Sequence, residues 1–211
     1  MSNHNKKNNS ILIIGLGNPG PSYEKNRHNI GHHFIDYLAN KWEGSKWKEN
    51  KKCLAFINSI NINKKEIILA KSLAFMNQSG QALSLLKKFY SLTLQNIYVV
   101  HDDTDIISGN FKISYGRGSA GHKGIESIIE HFRSKNFNRI RIGVRPSSFK
   151  NAKAEKLVLK NLSLQENQII KNIFPTIEKQ LIDIYFHEDK QKNEKPKVKK
   201  GLKSKHLEKD S

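Results

Sequence analysis

The stretch ILIIGLGNPGPSYEKNRHNIG, from Ile11 to Gly31, changes character within a few residues. Ile11 to Ile14 form a continuous aliphatic run, and Gly15, Gly17, Pro19, Gly20 and Pro21 follow at once. A short apolar run closed by turn residues predicts a buried strand that ends in a tight loop. Glycines in such a loop let backbone approach a ligand, and the prolines keep a helix from starting before about residue 22. A helix is predicted from about Asn26, because Ile30, Phe34, Leu38 and Trp42 recur four residues apart on one face. His28 falls in its first turn, above the carboxyl end of the strand, where open α/β sheets place their chemistry.

The string Gly15-Leu-Gly17-Asn-Pro-Gly20 also matches the dinucleotide fingerprint, and its context argues against that reading. A dinucleotide loop needs a helix starting at the glycines, so that its amides face a pyrophosphate. Pro19 and Pro21 remove amides from that spot. The acidic residue expected about 20 positions on, at the end of a second strand, is missing, since Asp36 lies inside the helical pattern.

Further along, Cys53 to Ile60 and Glu66 to Ala70 read as strands, with Glu43 to Lys52 as a surface connection before them. A helix follows FMNQSG, with Leu83, Leu86 and Phe89 or Tyr90 on its apolar side. Ile97 to Val100 reads as a short buried strand with HDDTD, His101 to Asp105, at its carboxyl end. Phe111 to Tyr115 alternates weakly, as an antiparallel strand would. The glycine-rich loop 116–121 opens a helix whose Ile125, Ile128, Ile129 and Phe132 face the core. Ile140 to Val144 reads as the last strand. Ser163 with Glu166 three residues on is a capping-box signal. Ile169, Ile173, Ile177, Leu181 and Ile184 continue the final helical stripe, with Pro175 kinking or dividing it. Strands alternating with helices predict an α/β sheet covered on both faces.

At 211 residues one compact domain is expected, covering 11–187, between a polar N-terminal tail at 1–10 and a basic, disordered tail at 188–211. That C-terminal stretch carries nine Lys against five Asp or Glu, so most of the net charge of +18 belongs to the rest of the chain. Such an excess favours a polyanionic partner, because Lys and Arg displace counterions from a phosphate backbone. A single Cys53 excludes an intramolecular disulfide and suits a reducing compartment. No apolar run approaches the 18 residues of a spanning helix, and MSNHNKKNNS lacks the apolar centre of a signal peptide, so a soluble cytoplasmic protein without membrane attachment is expected.

The segment GLGNPGPSYEKNRHNIGHHFID resembles the N-terminal signature of bacterial-type peptidyl-tRNA hydrolases, GLGNPG followed by a tyrosine and RHN. The resemblance continues in FMNQSG (Phe75 to Gly80), HDDTD, GRGSAGHKG (Gly116 to Gly124) and FNRIRIGVRP (Phe137 to Pro146), in the same order over roughly residues 11 to 187. It implies one mixed, mostly parallel, twisted sheet with helices on both faces. It also implies hydrolysis of the ester between a peptide and the 3′-terminal ribose of tRNA, as in recycling of peptidyl-tRNA dropped by ribosomes. The partner would be tRNA, with no cofactor, no metal and no obligate protein partner, and the protein would be a monomer. A non-catalytic basic RNA-binding module is the alternative from another class.

His28 is the candidate general base, since an imidazole near its ordinary pKa takes a proton from water at neutral pH. Asp102 is the carboxylate that the resemblance supplies to orient it. HDDTD has the residue types of a metal site, yet it lacks the glycine and distal glutamate of a calcium loop, and no second His/Cys cluster completes a zinc site. The resemblance implies that Asn18 and Asn77 hold the peptide part of the substrate, through amides that act without changing charge. Asn18 before a proline is equally a turn former. Tyr23, Phe75 and Met76 offer apolar faces for the terminal adenosine or a substrate side chain, against core packing as the plain reading of Phe75 and Met76. Lys123 stands where the family usually has asparagine after histidine. A lysine has donors only and a charge, so the position implies contact with a phosphate or with the ester carbonyl. Lys112, Arg117, Arg133, Arg139, Arg141 and Arg145 are further candidates for phosphate contact.

Overall fold

The computed structural model describes residues 10–62, 65–147 and 157–193, with backbone alone for 186–193. Seven strands form one sheet in the order β2-β3-β4-β1-β5-β7-β6. They are β1 (Ile11–Gly15), β2 (Lys48–Asn50), β3 (Ala55–Ile62), β4 (Lys65–Ser72), β5 (Ile97–Ile107), β6 (Phe111–Tyr115) and β7 (Asn138–Arg145). The four central strands run parallel, β1 pairing with β4 and β5, and β5 with β7. Antiparallel strands flank them, β2 and β3 on one side and β6 on the other. The expected mixed sheet is present, its parallel part confined to the centre.

Helices lie on both faces. α1 (Ile30–Lys41) buries Phe34, Ile35 and Leu38, and its Phe34 and Tyr37 pack on Phe174 with ring centroids 5.1 and 5.5 Å apart. α2 (Ser79–Phe89) and α3 (Lys123–Phe132) cover the other face. There Leu83, Leu86, Ile125 and Ile128 close over Leu12, Ile14, Val99 and Phe137. Of the alternatives after Leu86, Tyr90 packs on this core and Phe89 is exposed. α1 leads from β1 to one side of the sheet, and α2 carries the chain from β4 over to β5. β1 therefore sits where the connections diverge, a place at which α/β sheets leave a crevice beyond the strand ends.

α4 (Leu164–Lys171) begins with the expected capping box, Ser163 Oγ accepting from Glu166 N–H at 3.2 Å and Glu166 Oε2 from Ser163 N–H at 2.8 Å. Pro175 divides the final helical region. α5 (Phe174–Asn193) starts one residue before it, so the proline sits in a first turn that needs no N–H from it. The buried stripe there is Ile170, Phe174, Ile177 and Leu181, whereas Ile169 is 41% exposed.

The chain divides into compact units at 1–177 and 178–211. Helix α5 runs on to Asn193, six residues into the stretch read as tail, and 194–211 lie outside the described residues, as do 1–9. Ser10 is already buried, its Oγ donating to Glu66 Oε2 at 3.0 Å. Three other expectations change. Part of the segment read as a surface connection, Lys48–Asn50, is the edge strand β2. A 3-10 turn, Arg27–Asn29, precedes α1, so His28 stands ahead of the helix rather than within it. HDDTD lies inside β5, not beyond it, because β7 goes on pairing with Asp102 and Asp103 after β1 has stopped opposite Val100.

Candidate active site

Where β1 ends, the Asp102 side of β5 loses its neighbour, and a cleft of about 520 Å³ opens there. His28 reaches it because α1 starts very close to the sheet. Gly31 makes that approach possible, since a Cβ on it would stand 2.6 Å from the carbonyl oxygens of Leu16 and Val100. Gly15 and Gly17 of the first loop serve the same packing. A Cβ on Gly15 would run into the Gly31 carbonyl oxygen and one on Gly17 would lie 2.8 Å from the His32 ring, so these two admit α1 rather than a ligand. Gly20 instead takes a left-handed φ of 101° with open space around it.

Asp102 is 1% exposed and receives two imidazoles on one oxygen. His28 Nδ1 lies 2.8 Å from Oδ1, and His122 Nε2 lies 2.9 Å from the same atom. A carboxylate oxygen only accepts, so both nitrogens carry protons. For His28 this leaves Nε2 with its lone pair, on a ring that lines the cleft. For His122 the opposite nitrogen is already taken: Nδ1 caps α3 by accepting from Gly124 N–H at 3.1 Å and Ile125 N–H at 3.3 Å. His122 would have to give up both cap bonds to bind a second proton. His28 has no such commitment. Of the two imidazoles on Asp102, only His28 is arranged to cycle a proton.

Burial alone would raise the Asp102 pKa. The two facing imidazoles, His122 and then His28, with the N–H groups they donate to it, outweigh burial and hold the carboxyl well below the usual carboxylate range. His101 is fully buried and donates back from Nδ1 to the Asp102 carbonyl at 2.6 Å. Burial and then His122 push its pKa well down, so it stays neutral. His28, Asp102 and His122 offer ligand atoms within 4.8 Å of one another, the spacing of a metal site. Each facing nitrogen is already spent on Asp102, however, and a cation would have to replace both protons.

The other expected residues divide. Asn18 lines the cleft, and its Oδ1 accepts from Met76 N–H at 2.9 Å. That bond commits the amide oxygen and leaves the NH2 end as the part able to meet a ligand. Asn77 is exposed and lines the same cleft, as does Phe75, which is 50% exposed. Met76 touches the cleft but is buried in the core between α2 and α3, so packing accounts for most of it. Tyr23 is not among the lining residues. It stands edge-on behind Phe75, ring centroids 6.4 Å apart. Lys123, the first residue of α3, lines the cleft with its Nζ 3.2 Å from Glu126 Oε2.

Several residues of the site carried no local signal. His122 is one; only its place in the glycine-rich loop hinted at it. Arg27 is 4% exposed and ties the His28 turn to the segment beside it, Nη1 donating to Asn161 O at 2.7 Å and Nη2 pairing with Glu166. Val158 and Leu159 of that segment line the cleft. Of the expected phosphate ligands, Arg139 is buried on Gly118 O and Arg141 pairs with Asp103 at 2.7 Å.

Comparison with known proteins points to one family. A family model described as peptidyl-tRNA hydrolase matches residues 12–205. A peptidyl-tRNA hydrolase of Mycolicibacterium smegmatis is 40% identical over 174 residues, 82% of this chain and 87% of the relative. That of Lawsonia intracellularis is 40% identical over 167 residues, 79% and 82% of the two chains. A crystal structure of peptidyl-tRNA hydrolase from Acinetobacter baumannii superposes with a TM-score of 0.78 at 29% identity, covering 89% of this chain and 94% of that one. On the family model, these relatives and the shared fold, the chain belongs to the peptidyl-tRNA hydrolase family.

Proposed function

We propose that this enzyme hydrolyses the ester between a peptide, or an N-blocked aminoacyl group, and the 3′-terminal ribose of tRNA. The observation that carries the mechanism is the His28 Nδ1 to Asp102 Oδ1 bond at 2.8 Å, in a ring that lines the cleft. His28 Nε2 takes a proton from water as the water attacks the ester carbonyl. Asp102 remains ionised and stabilises the imidazolium as it forms. The proton then passes to the ribose oxygen as it leaves, so peptide and tRNA are released with no group left on the protein. No step calls for a metal or a cofactor.

Asn18 and Asn77 meet the peptide and the ester carbonyl. Amide donors suit a carbonyl that gains negative charge without adding a competing charge to the His28–Asp102 pair. Phe75, Val158 and Leu159 give the cleft an apolar side for an aminoacyl side chain or the terminal adenine. Exposed Lys112, Arg117 and Arg133 offer contacts to tRNA phosphates. No helix among the described residues is long and apolar enough to cross a membrane. A cytoplasmic monomer acting on tRNA without an obligate protein partner is the simplest setting for this chemistry.

The test is release of N-acetyl-aminoacyl groups from tRNA, with free aminoacyl-tRNA as control. Turnover of the blocked substrate that His28→Ala abolishes, tRNA binding being retained, supports the reading. Binding with no turnover by the wild-type protein would make it a basic RNA-binding module instead.

A further inference from the structure

Arg139 heads the largest fully buried side chains, at 2% exposure, as the second residue of β7, opposite Ser114 of β6 and Val99 of β5. An apolar residue would fill that place without desolvating a charge, so a guanidinium there calls for a cause. Its contacts do not neutralise it. Nη1 donates to the carbonyl of Gly118 at 2.9 Å, and Nε has no partner among the described residues. The carboxylate that acts on it, Asp103, is already occupied by Arg141 Nε at 2.7 Å and by the N–H of Asp105 at 2.9 Å. Burial, then Arg141, lowers its pKa from the ordinary value, with Arg117 adding to the effect.

Gly118 belongs to the loop 116–121 that leads to His122. Gly116, Ala120 and Gly121 all take left-handed conformations, with φ of 66°, 50° and 78°. Ala120 carries a Cβ and pays a steric penalty there, so surrounding contacts must enforce the path. Inside the loop, Ser119 O accepts from His122 N–H at 3.1 Å and Ser119 Oγ from Gly121 N–H at 3.3 Å. From outside it, among the described residues, the hydrogen bond that ties residues 116–121 to the sheet is the one from Arg139. A chain of contacts thus runs from Arg139 to Gly118, through the Ser119 turn to His122, and from His122 Nε2 to Asp102 Oδ1.

We propose that Arg139 is a positioning residue for the catalytic pair: by holding the Gly118 carbonyl it sets the path of loop 116–121 and so delivers His122 to Asp102. The role rests on the hydrolase reading only for its kinetic consequence. Its structural consequence stands alone. A neutral side chain of similar length leaves the sheet packed but frees the loop, and His122 then loses its fixed approach to Asp102.

The experiment compares the full-length wild type with Arg139→Met, Arg139→Lys, His122→Asn and the double variant Arg139→Met/His122→Asn. Each is assayed on N-acetyl-aminoacyl-tRNA, melted thermally and examined by imidazole 15N NMR. Arg139→Met is expected to keep a cooperative melt near that of wild type. Its kcat should fall about 10- to 100-fold, the cost of misplacing a catalytic group by about 1 Å, with KM little changed. Lysine, still a donor, should regain part of that loss. In the His122→Asn background, Arg139→Met should add almost nothing, because the contact it serves is already gone. The NMR signal of the protonated Nε2 of His122 should disappear in Arg139→Met. An unchanged kcat, a loss that adds in full to that of His122→Asn, or a salt-sensitive rise in KM alone would each overturn the proposal, the last making Arg139 a phosphate ligand. If Arg139→Met does not fold, Arg139→Lys carries the comparison, its partial loss vanishing in the His122→Asn background. A wild type without turnover would refute the hydrolase reading, and the NMR signal would then decide the role of Arg139 by itself.

Discussion

Asn29 grips the backbone of Asn18 at both ends of its amide: its Oδ1 accepts from Asn18 N–H at 2.9 Å and its Nδ2 donates to Asn18 O at 2.9 Å. Asn29 is 3% exposed and follows His28 in the same 3-10 turn. The proposed base and the proposed substrate-holding amide are therefore set by one short segment. Asn29→Asp keeps the acceptor for Asn18 N–H but turns a carboxylate oxygen toward the Asn18 carbonyl. We expect kcat/KM to fall about 10-fold or more, since a misplaced group of this kind costs up to about 100-fold. Steady-state kinetics on N-acetyl-aminoacyl-tRNA check it, and wild-type kinetics in this variant would mean that Asn18 needs no such anchoring.

Asp102→Asn should retain a partner for His28, because an amide oxygen also accepts a hydrogen bond, yet it cannot stabilise an imidazolium. A drop in kcat of about 10²- to 10⁴-fold is expected, with tRNA affinity close to that of wild type. Binding and turnover measured on the same preparation separate the two effects. Equal losses in both would assign Asp102 to the fold alone.

His122 both caps α3 and holds Asp102, and a shorter side chain can divide these functions. Asparagine is a good cap but does not reach Asp102 from the helix start. His122→Asn should melt within a few degrees of wild type while kcat falls about 10- to 100-fold. His122→Ala should lose about 1 kcal/mol more stability than the asparagine variant. If the two variants turn over like wild type, the second imidazole on Asp102 is only a helix cap.

His32 lies under Gly17 with its pKa pushed down to about 3, by burial first and then by the Lys71 ammonium. The unfolded chain keeps a value of about 6.5. Below pH 6.5 the unfolded state binds the extra proton, so the stability is complete above that pH and drains away as pH falls toward 3. By pH 5.5 the loss should reach about 1.4 kcal/mol. Denaturant titrations of wild type and His32→Gln across this window should show the wild type losing that much more. Parallel curves would mean that His32 is accessible to protons in the folded state.

Lys123 stands at the mouth of the cleft, 57% exposed, with Glu126 as an ion-pair partner. A flexible ammonium suits a phosphate better than a single carbonyl oxygen. Lys123→Ala should raise KM at nearly constant kcat and reduce the slope of log affinity against log salt by about 1. Lys123→Asn should keep kcat with the same reduced slope. A fall in kcat instead would move the lysine onto the ester carbonyl.

Local chemistry in the chain determined most of the elements. The aliphatic run at Ile11 to Ile14, the four-residue spacing from Ile30 to Leu38, the Ser163–Glu166 box and Pro175 each act over a few residues, so they could be read directly. His28 and Asp102 were identifiable from the ordered motifs that surround them. The extent of β5 through HDDTD was not, because those polar residues stay in a strand only by pairing with β7. Nor was the convergence on one carboxylate oxygen of His28 and His122, which lie 74 and 20 residues from Asp102 in sequence. Whether Tyr23 lines the cleft or backs Phe75, and whether Arg139 meets phosphate or a carbonyl of its own chain, turns on packing between distant segments. Residue type and spacing carry the chemistry that a side chain can perform. Only the tertiary contacts decide which atom it presents, and to what.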